Sequence, residues 1–156
     1  MSTVTLAFYK GKGRFFDKII RWFTNSKYSH SEIIIGTEMW SSTSYRNNTG
    51  GAGVRYAHHW VSNDKWDYFE VPTEKPINKE LMDSLVGARY DWTGIILSQL
   101  IPIGTHDGQL WFCSESNALV LKDAGTKMAI TDPQYYSPED LLQHIVSSGA
   151  IQVYPK

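Results

Sequence analysis

The sequence predicts a single α+β domain in which an antiparallel β-sheet packs against helices. The length of 156 residues favours one domain that spans residues 1–156. Hydrophobic residues make up 42% of the chain and charged residues 20%, a balance that is typical of a globular protein with its own core. Strand-like segments cluster before Pro72 and helix-like segments follow it, and such runs favour α+β over a strict alternation.

The part of the chain before Pro72 is expected to form five strands and one helix. Runs of β-branched and aromatic residues predict strands over residues 3–9, 30–35, 39–44, 53–56 and 66–71. A helical spacing of apolar residues predicts a helix over residues 14–23. A turn at Gly36 and Thr37 would join the second and third strands into a hairpin.

The part after Pro72 is expected to be mainly helical. Helices are predicted over residues 78–89, 91–100, 113–124 and 138–148, and a last strand over residues 150–154. Asn78 and Ser137 are residue types that cap helix N-termini, and Pro138 suits the first helical position. Gly125 follows the third of these helices and marks its C-terminal end.

Composition argues against several classes of partner. The formal net charge is −1 and no block of like charges occurs, so no nucleic-acid partner is expected. A single cysteine cannot form an internal disulfide, and no Cys/His cluster has the spacing of a zinc site. His58 and His59 are adjacent and would point to opposite faces of a strand. Neither a metal nor another cofactor is therefore expected.

Targeting signals are not expected either. The first residues, MSTVTLAFYKGKG, do not have the basic start, apolar core and small-residue cleavage site of a signal peptide. No apolar stretch approaches the roughly 20 residues that a membrane-spanning helix needs. The sequence therefore predicts a soluble, cytoplasmic protein.

The most informative segment is WFCSESNAL, residues 111–119, which carries the only cysteine of the chain, Cys113. An ordinary thiol has a pKa near about 8.5, and a helix N-terminus or a nearby imidazolium lowers it. Cys113 lies at the predicted start of a helix and meets the first condition. The alternative is that Cys113 is a small buried hydrophobic residue, as a lone cysteine usually is.

His30 is the best candidate for the imidazolium. Side chains alternate along a strand, so His30, Glu32 and Ile34 would share one face, and a polar pair on a strand otherwise fit for a core indicates the wall of a cleft. The alternatives are a structural histidine and a Glu32 that is solvated or pairs with a charge across the sheet. The other histidines are expected at the surface: His58, His59, His106 and His144.

Five segments occur in an informative order: YSHSEIIIG, MWSSTSY, GGAGVRY, RYDWTGIILSQL and WFCSESNALVL. This order resembles that of the circularly permuted NlpC-like cysteine hydrolases of the papain-fold superfamily, in particular YiiX-like and YaeF-like bacterial proteins and their phage-encoded relatives. In the permuted branch the histidine strand precedes the cysteine helix, as His30 precedes Cys113 here. The resemblance covers most of the chain, and YSH-x-E and FCSE are its most specific parts.

The resemblance implies roles for three residues. Cys113 would be the nucleophile, and His30 would be the general base that later protonates the leaving group. Papain-like sites also use a polar side chain to orient the imidazole, which in parts of the permuted branch is a glutamate on the following strand. That strand reads WSSTS here, so Ser41, Ser42 or a water are alternatives, and Glu32 on the histidine strand is favoured.

The resemblance also places a cleft beside this pair. Ser41, Ser42 and Tyr90 are its candidate substrate-binding residues, and the stretch 40–53, whose end RNNTGGAG is the most flexible-looking part of the chain, would form a mobile wall. Backbone N–H groups at the start of the cysteine helix would stabilise the oxyanion, with Tyr90 as a candidate side-chain donor. Alternatively, Tyr90 and Trp92 are packing residues.

The function implied is that of a thiol hydrolase that cleaves an amide or ester through a covalent acyl-enzyme. The peptide stem of the bacterial cell wall is the favoured substrate, cut by an endopeptidase or amidase. A phage-encoded protein of this kind is expected in the host cytoplasm or in association with the virion. A lipid or other acyl ester is a further alternative, because acyltransferases share the permuted arrangement. A protein of a different class, a catalytically weak or inactive binding, virion or host-effector module, is the second hypothesis.

Overall fold

The computed structural model of the chain describes residues 1–13, 15–43, 52–90, 110–127 and 136–154. In chain order the elements are β1 (Ser2–Tyr9), α1 (Phe15–Thr24), β2 (His30–Ile35), β3 (Glu38–Thr43), β4 (Gly53–His58), β5 (Trp66–Thr73), α2 (Lys79–Leu85), β6 (Arg89–Tyr90), β7 (Leu110–Trp111), α3 (Cys113–Asp123), α4 (Pro138–Ser147) and β8 (Ile151–Val153). The helix predicted over residues 91–100 and most of the loop 46–53 lie outside the described residues. No helix within the described ranges is long and apolar enough to cross a bilayer.

Six strands form one antiparallel sheet in the order β4-β3-β2-β1-β5-β8, which confirms the predicted α+β class. The turn at Gly36 and Thr37 joins β2 and β3 as predicted. Strand β1 lies between β2 and β5, and Tyr9 is in register with His30 on one side and Trp66 on the other. Residues in register share a face of the sheet, so these three side chains lie in one row at one end of it.

Alternation along β1 separates an apolar face of the sheet from a polar one. Val4, Leu6 and Phe8 are buried and belong to the hydrophobic core. The helices cover this face with further core residues, which are Met82, Ala118, Val120, Leu121, Leu141 and Ile145. Each fully buried side chain of this size stabilises the fold by about 1.5–3 kcal/mol. The register places His30 and Glu32 on the opposite face, beside Tyr9 and Ala7.

Helix α2 is shorter than the sequence predicts. Asn78 is its N-cap, as expected, and its side chain accepts a hydrogen bond from the N–H of Leu81. The helix ends at Leu85 rather than near residue 89, because Val86 is extended and Gly87 adopts a φ of +92° that continues no helix. The residues released in this way form β6 and the turn before it.

The backbone of β4 packs closely against the backbone of the turn at Gly87 and Ala88. Gly53 has a φ of +120°, and a Cβ atom there would lie 2.1 Å from the carbonyl oxygen of Ala88. The N–H of Val54 donates to the Ala88 oxygen at 2.9 Å, and the N–H of Gly87 donates to the Val54 oxygen at 2.9 Å. Strand β6 then pairs in parallel with β7, which leads directly into Cys113. Gly53 therefore contributes to the position of the cysteine helix.

A buried carboxylate holds the segment that leads into His30. Asp67 is 5% exposed and accepts hydrogen bonds from Tyr28 Oη at 2.6 Å, from Lys27 Nζ at 3.1 Å and from Lys10 Nζ. Burial by itself raises the pKa of Asp67, but the bonds from Lys10, Tyr28 and Lys27 outweigh it and lower that pKa. The cluster fixes Lys27 and Tyr28 just ahead of β2.

Asp67→Asn is expected to lower the free energy of unfolding at pH 7 by about 2 kcal/mol, because three donors lose a charged acceptor. The folded-state pKa of Asp67 lies below its unfolded value of about 3.9, so this contribution is present above the unfolded value and is lost as the pH falls through the folded one. Urea unfolding at several pH values measures both effects. Asp64→Asn is the control at an exposed position. An equal loss in the control, or a difference from wild type that does not shrink in acid, would contradict the assignment.

Candidate active site

The site is built around Cys113, the first residue of α3. Cys113 is 2% exposed, and the backbone N–H groups of Ser31 and Ser114 donate hydrogen bonds to its sulfur. The N-cap residue, Phe112, has no side-chain oxygen to satisfy the free N–H groups of the first turn. Glu115 caps the helix, since its carboxylate accepts the N–H of Phe112 at 3.4 Å. The sulfur thus takes one of the free donors that a capping serine would otherwise occupy.

Strand β2 is held so that the N–H of Ser31 reaches the sulfur. Asn117, one turn along α3 from Cys113, donates from Nδ2 to Ser31 Oγ at 3.0 Å. The hydroxyl of Ser41 donates to the carbonyl oxygen of Ser31 at 2.7 Å. Ser31 is therefore fixed from the helix and from β3 at once, and this fixes its neighbour His30 as well.

His30 lies between the thiol and a carboxylate. Its side chain is 17% exposed, it is hydrogen bonded to the sulfur of Cys113, and its Nε2 lies 3.0 Å from Glu32 Oε1. Burial by itself lowers the pKa of His30, but Cys113 and then Glu32 raise it to about 10. Burial likewise raises the pKa of Cys113, but His30 and the N–H groups of Ser31 and Ser114 outweigh it and lower that pKa.

These opposite shifts favour the thiolate form of Cys113 and the imidazolium form of His30. Proton transfer within the pair leaves one negative and one positive charge that stabilise each other where water is scarce. A thiolate is the nucleophilic form of cysteine, and a neighbouring imidazolium can donate a proton to a leaving group. The geometry therefore provides a nucleophile and an acid–base group in contact.

Glu32 is the residue that the sequence favours for orienting the imidazole, and its Oε1 lies 3.0 Å from His30 Nε2. Ser41 and Ser42, the alternatives, are fully buried on β3, and the hydroxyl of Ser41 donates to the Ser31 carbonyl. The orienting role of Glu32 and the substrate-binding role of the two serines stay predictions.

Tyr90 is distant from Cys113 in sequence, but the fold pairs its strand with the strand that leads into Cys113. It is half-buried, belongs to β6 and is in register with Trp111, two residues before Cys113. This position is compatible with either of its predicted roles, donor or packing residue. Trp92 lies outside the described residues.

A pocket of about 180 Å³ opens beside the imidazole. Its lining consists of Tyr9, Asp17, His30, Glu32, Thr43, Arg55 and Trp66. Two aromatic side chains, Tyr9 and Trp66, stand in one row with His30, and their rings are 5.0 Å apart between centroids. Acidic and basic groups therefore lie together with flat apolar surfaces next to the acid–base group.

The prediction that His59 lies at the surface is wrong. His59 is 7% exposed, its Nδ1 lies 3.8 Å from Glu32 Oε2, and its Nε2 is hydrogen bonded to Tyr68 Oη at 3.0 Å. The signal for this was the period of two along β4, which continues from Arg55 through Ala57 to His59 and puts all three on the face of Glu32. Arg55, another residue of this face, was also not singled out in the sequence.

The remaining histidines differ in their surroundings. His58 is exposed, as predicted, and stacks edge-on against Trp60. His144 is half-buried on α4 beside Tyr136, and His106 lies outside the described residues. Within the described ranges no group of three or more His, Cys, Asp or Glu residues is arranged to hold a metal ion.

Comparison with known proteins adds no assignment to this geometry. The chain matches no protein-family model, and no curated protein matches its sequence. The interpretation of the site therefore depends on its own residues.

His30→Ala is expected to abolish the activation of the thiol. Iodoacetamide reacts with the thiolate, so the wild-type rate should stay high well below pH 7, while the variant rate should rise only near the ordinary thiol pKa of about 8.5 or above it. The readout is unambiguous because Cys113 is the only cysteine. His58→Ala is the control histidine variant. Profiles that coincide for wild type and His30→Ala would mean a structural cysteine.

Glu32→Gln is expected to shift the profile of alkylation rate against pH toward higher pH, by less than His30→Ala does. Glutamine keeps an oxygen for His30 but replaces a charge-assisted hydrogen bond with a weaker neutral one, so His30 is held less firmly beside the sulfur and stabilises the thiolate less. The acid limb is the part of the profile in which the alkylation rate rises with pH. On this limb the rate at a given pH should fall about tenfold, which corresponds to a rise of about one unit in the pKa of the Cys113 thiol. Glu38→Gln, at an exposed position of β3, is the matched control. An unchanged acid limb in Glu32→Gln would mean that Glu32 does not contribute to the activation of Cys113.

Proposed function

We propose that this chain is a thiol hydrolase that cleaves an amide or ester bond through a covalent acyl-enzyme formed on Cys113. The observation that carries the proposal is the position of His30, bonded to the Cys113 sulfur on one side and 3.0 Å from Glu32 on the other. This is the order of groups found in activated cysteine nucleophiles, with the base oriented by a third group. We further propose that the α+β fold is the permuted NlpC-like papain fold that the sequence resembles.

The reaction would proceed in two halves. The Cys113 thiolate attacks the carbonyl carbon and forms a C–S bond, while backbone N–H groups at the start of α3 stabilise the oxyanion. As the oxyanion collapses, the bond to the leaving amine or alcohol breaks and His30 donates its proton to that group. Water then attacks the thioester, with His30 as the base, and the acid product and the thiolate are released.

The pocket favours a peptide substrate over a lipid. Its walls carry Asp17 and Arg55 together with Tyr9 and Trp66, and they suit a chain with both polar groups and short apolar side chains. A lipid acyl chain would instead require a long and predominantly apolar channel. Stem peptides of the bacterial cell wall, which carry amino, carboxyl and methyl groups, are therefore the substrate class we propose.

One observation favours the second candidate, a binding module without turnover. Cys113 is 2% exposed and is not among the residues that line the pocket beside His30, so a molecule can occupy that pocket without contact with the sulfur. A protein that only binds would retain the pocket but form no thioester.

The purified chain is expected to release fragments from cell-wall stem peptides and to form a thioester with activated acyl esters. Mass spectrometry of digested muropeptides detects the first, and intact-protein mass after brief reaction with a nitrophenyl ester detects the second. Cys113→Ala should abolish both, whereas His58→Ala should change neither by more than about twofold. If the thiol forms a thioester but muropeptides are not cleaved, the proposed substrate class is wrong and the thiol hydrolase mechanism is retained. A reactive thiol that gives neither product would support the binding module.

A further inference from the structure

A second imidazole lies behind the carboxylate that holds His30. Glu32 Oε1 faces His30, while Glu32 Oε2 is buried and accepts no hydrogen bond from the described residues. The nearest donor atom that the structure records for Oε2 is Nδ1 of His59, at 3.8 Å. Glu32 therefore lies between two imidazoles of which only the first belongs to the proposed reaction.

The hydrogen bonds of Tyr68 determine which nitrogen of His59 carries the proton. Tyr68 is 2% exposed, and its hydroxyl oxygen accepts the backbone N–H of Ser62 at 3.1 Å. The O–H proton of Tyr68 must find an acceptor, because a buried hydroxyl without one costs about 1–3 kcal/mol. The acceptor within reach is His59 Nε2, at 3.0 Å.

A neutral His59 whose Nε2 accepts a hydrogen bond carries its proton on Nδ1, the nitrogen that faces Glu32. Burial lowers the pKa of His59, which keeps the ring neutral, although Glu32 opposes this effect. The backbone of His59 is fixed as well, since its N–H donates to the Thr37 carbonyl at 2.9 Å. The Nδ1–H group therefore lies on the side of the second carboxylate oxygen, at 3.8 Å, which is an electrostatic contact longer than a hydrogen bond.

We infer that His59 is a positioning residue that orients Glu32 through the electrostatic attraction between Nδ1–H and Oε2 and so keeps His30 directed at Cys113. The inference rests on the proposed function, because it assigns His59 a role in the Cys113–His30 pair. His59 touches neither the sulfur nor the His30 ring through a hydrogen bond, so it acts through Glu32. The chain of contacts runs from Cys113 through His30 and Glu32 to His59 and Tyr68.

Other charged and titratable groups surround this chain of contacts. Arg55 on β4 interacts electrostatically with Glu32, and two of its guanidinium nitrogens are buried without an acceptor among the described residues. His58, next to His59 in sequence, lowers the pKa of His59, and Tyr68 faces it from β5. Arg55 supplies positive charge near Glu32 but, like His59, no recorded hydrogen bond to Oε2.

Two substitutions separate the positioning role from a packing role. The amide of asparagine can place an N–H near the position of Nδ1, whereas the longer glutamine places its amide near the position of Nε2. His59→Asn should therefore keep the donor to Glu32, and His59→Gln should keep only the contact with Tyr68. The measurement is the iodoacetamide rate of Cys113 against pH, with the thermal unfolding midpoint recorded for each variant.

His59→Gln is expected to react about threefold to tenfold more slowly than wild type on the acid limb, and His59→Asn within about twofold of wild type. Equal profiles for wild type and both variants, or equal losses in both variants, would mean that His59 only packs. A wild-type profile with no acid limb below the ordinary thiol range would overturn the proposed function and the inference together. If only His59→Gln loses the acid limb, the wild-type protein still has its activated thiol. That result supports the role of His59 and leaves the proposed function to be judged by the wild-type profile.

Nitrogen NMR of ¹⁵N-histidine-labelled protein provides a readout that does not depend on reactivity. The His59 ring should be neutral at pH 7 with its proton on Nδ1, and Tyr68→Phe should allow the proton to move to Nε2. A wild-type ring with its proton on Nε2 would overturn the inference whatever the alkylation rates are.

Discussion

The hydrogen bond between the Cys113 sulfur and the His30 imidazole favours two opposite charges in a region that is almost closed to water. Burial alone would oppose both charges, since it lowers the pKa of His30 and raises that of Cys113. Burying charges in this way costs several kcal/mol per ion unless each finds partners. Here the sulfur receives two backbone N–H groups and the imidazole contacts Glu32, so the pair exists only because its surroundings are fixed.

The sheet fixes these surroundings, and strands β2, β1 and β5 each contribute to them. The start of β2 carries His30 and Glu32 on one face and aims the N–H of Ser31 at the helix. The neighbouring strand β1 is central in the sheet and keeps Tyr9 in register with His30, while β5 provides Asp67, which anchors the approach to β2. A shift of register by one residue would turn both polar side chains into the apolar core, so the hydrophobic pattern that folds the sheet also determines the site.

Local patterns in the sequence were sufficient for the parts of the site that lie on one element. The run HSEIII predicts the bounds of β2 as observed, and the period of two predicts that His30 and Glu32 share a face. What depends on neighbours in the sheet was out of reach. His59 appeared to be a surface residue because the burial of a side chain after a strand end depends on which elements cover that face. The polar stretch containing Ser41 suggested a cleft wall because nothing local shows that β3 lies between two other strands.

Several of the buried polar atoms without hydrogen-bond partners among the described residues belong to side chains near the site. They are Glu32 Oε2, two guanidinium nitrogens of Arg55 and Asn117 Oδ1. Each such group costs stability, so apolar residues of similar size would make a more stable sheet. Polar groups at positions where an apolar core would be more stable are typical of a site in which stability has been exchanged for the placement of charge. The polar groups near the contact between Cys113 and His30 therefore cost stability, which is the pattern expected if that contact serves the chemistry that we propose.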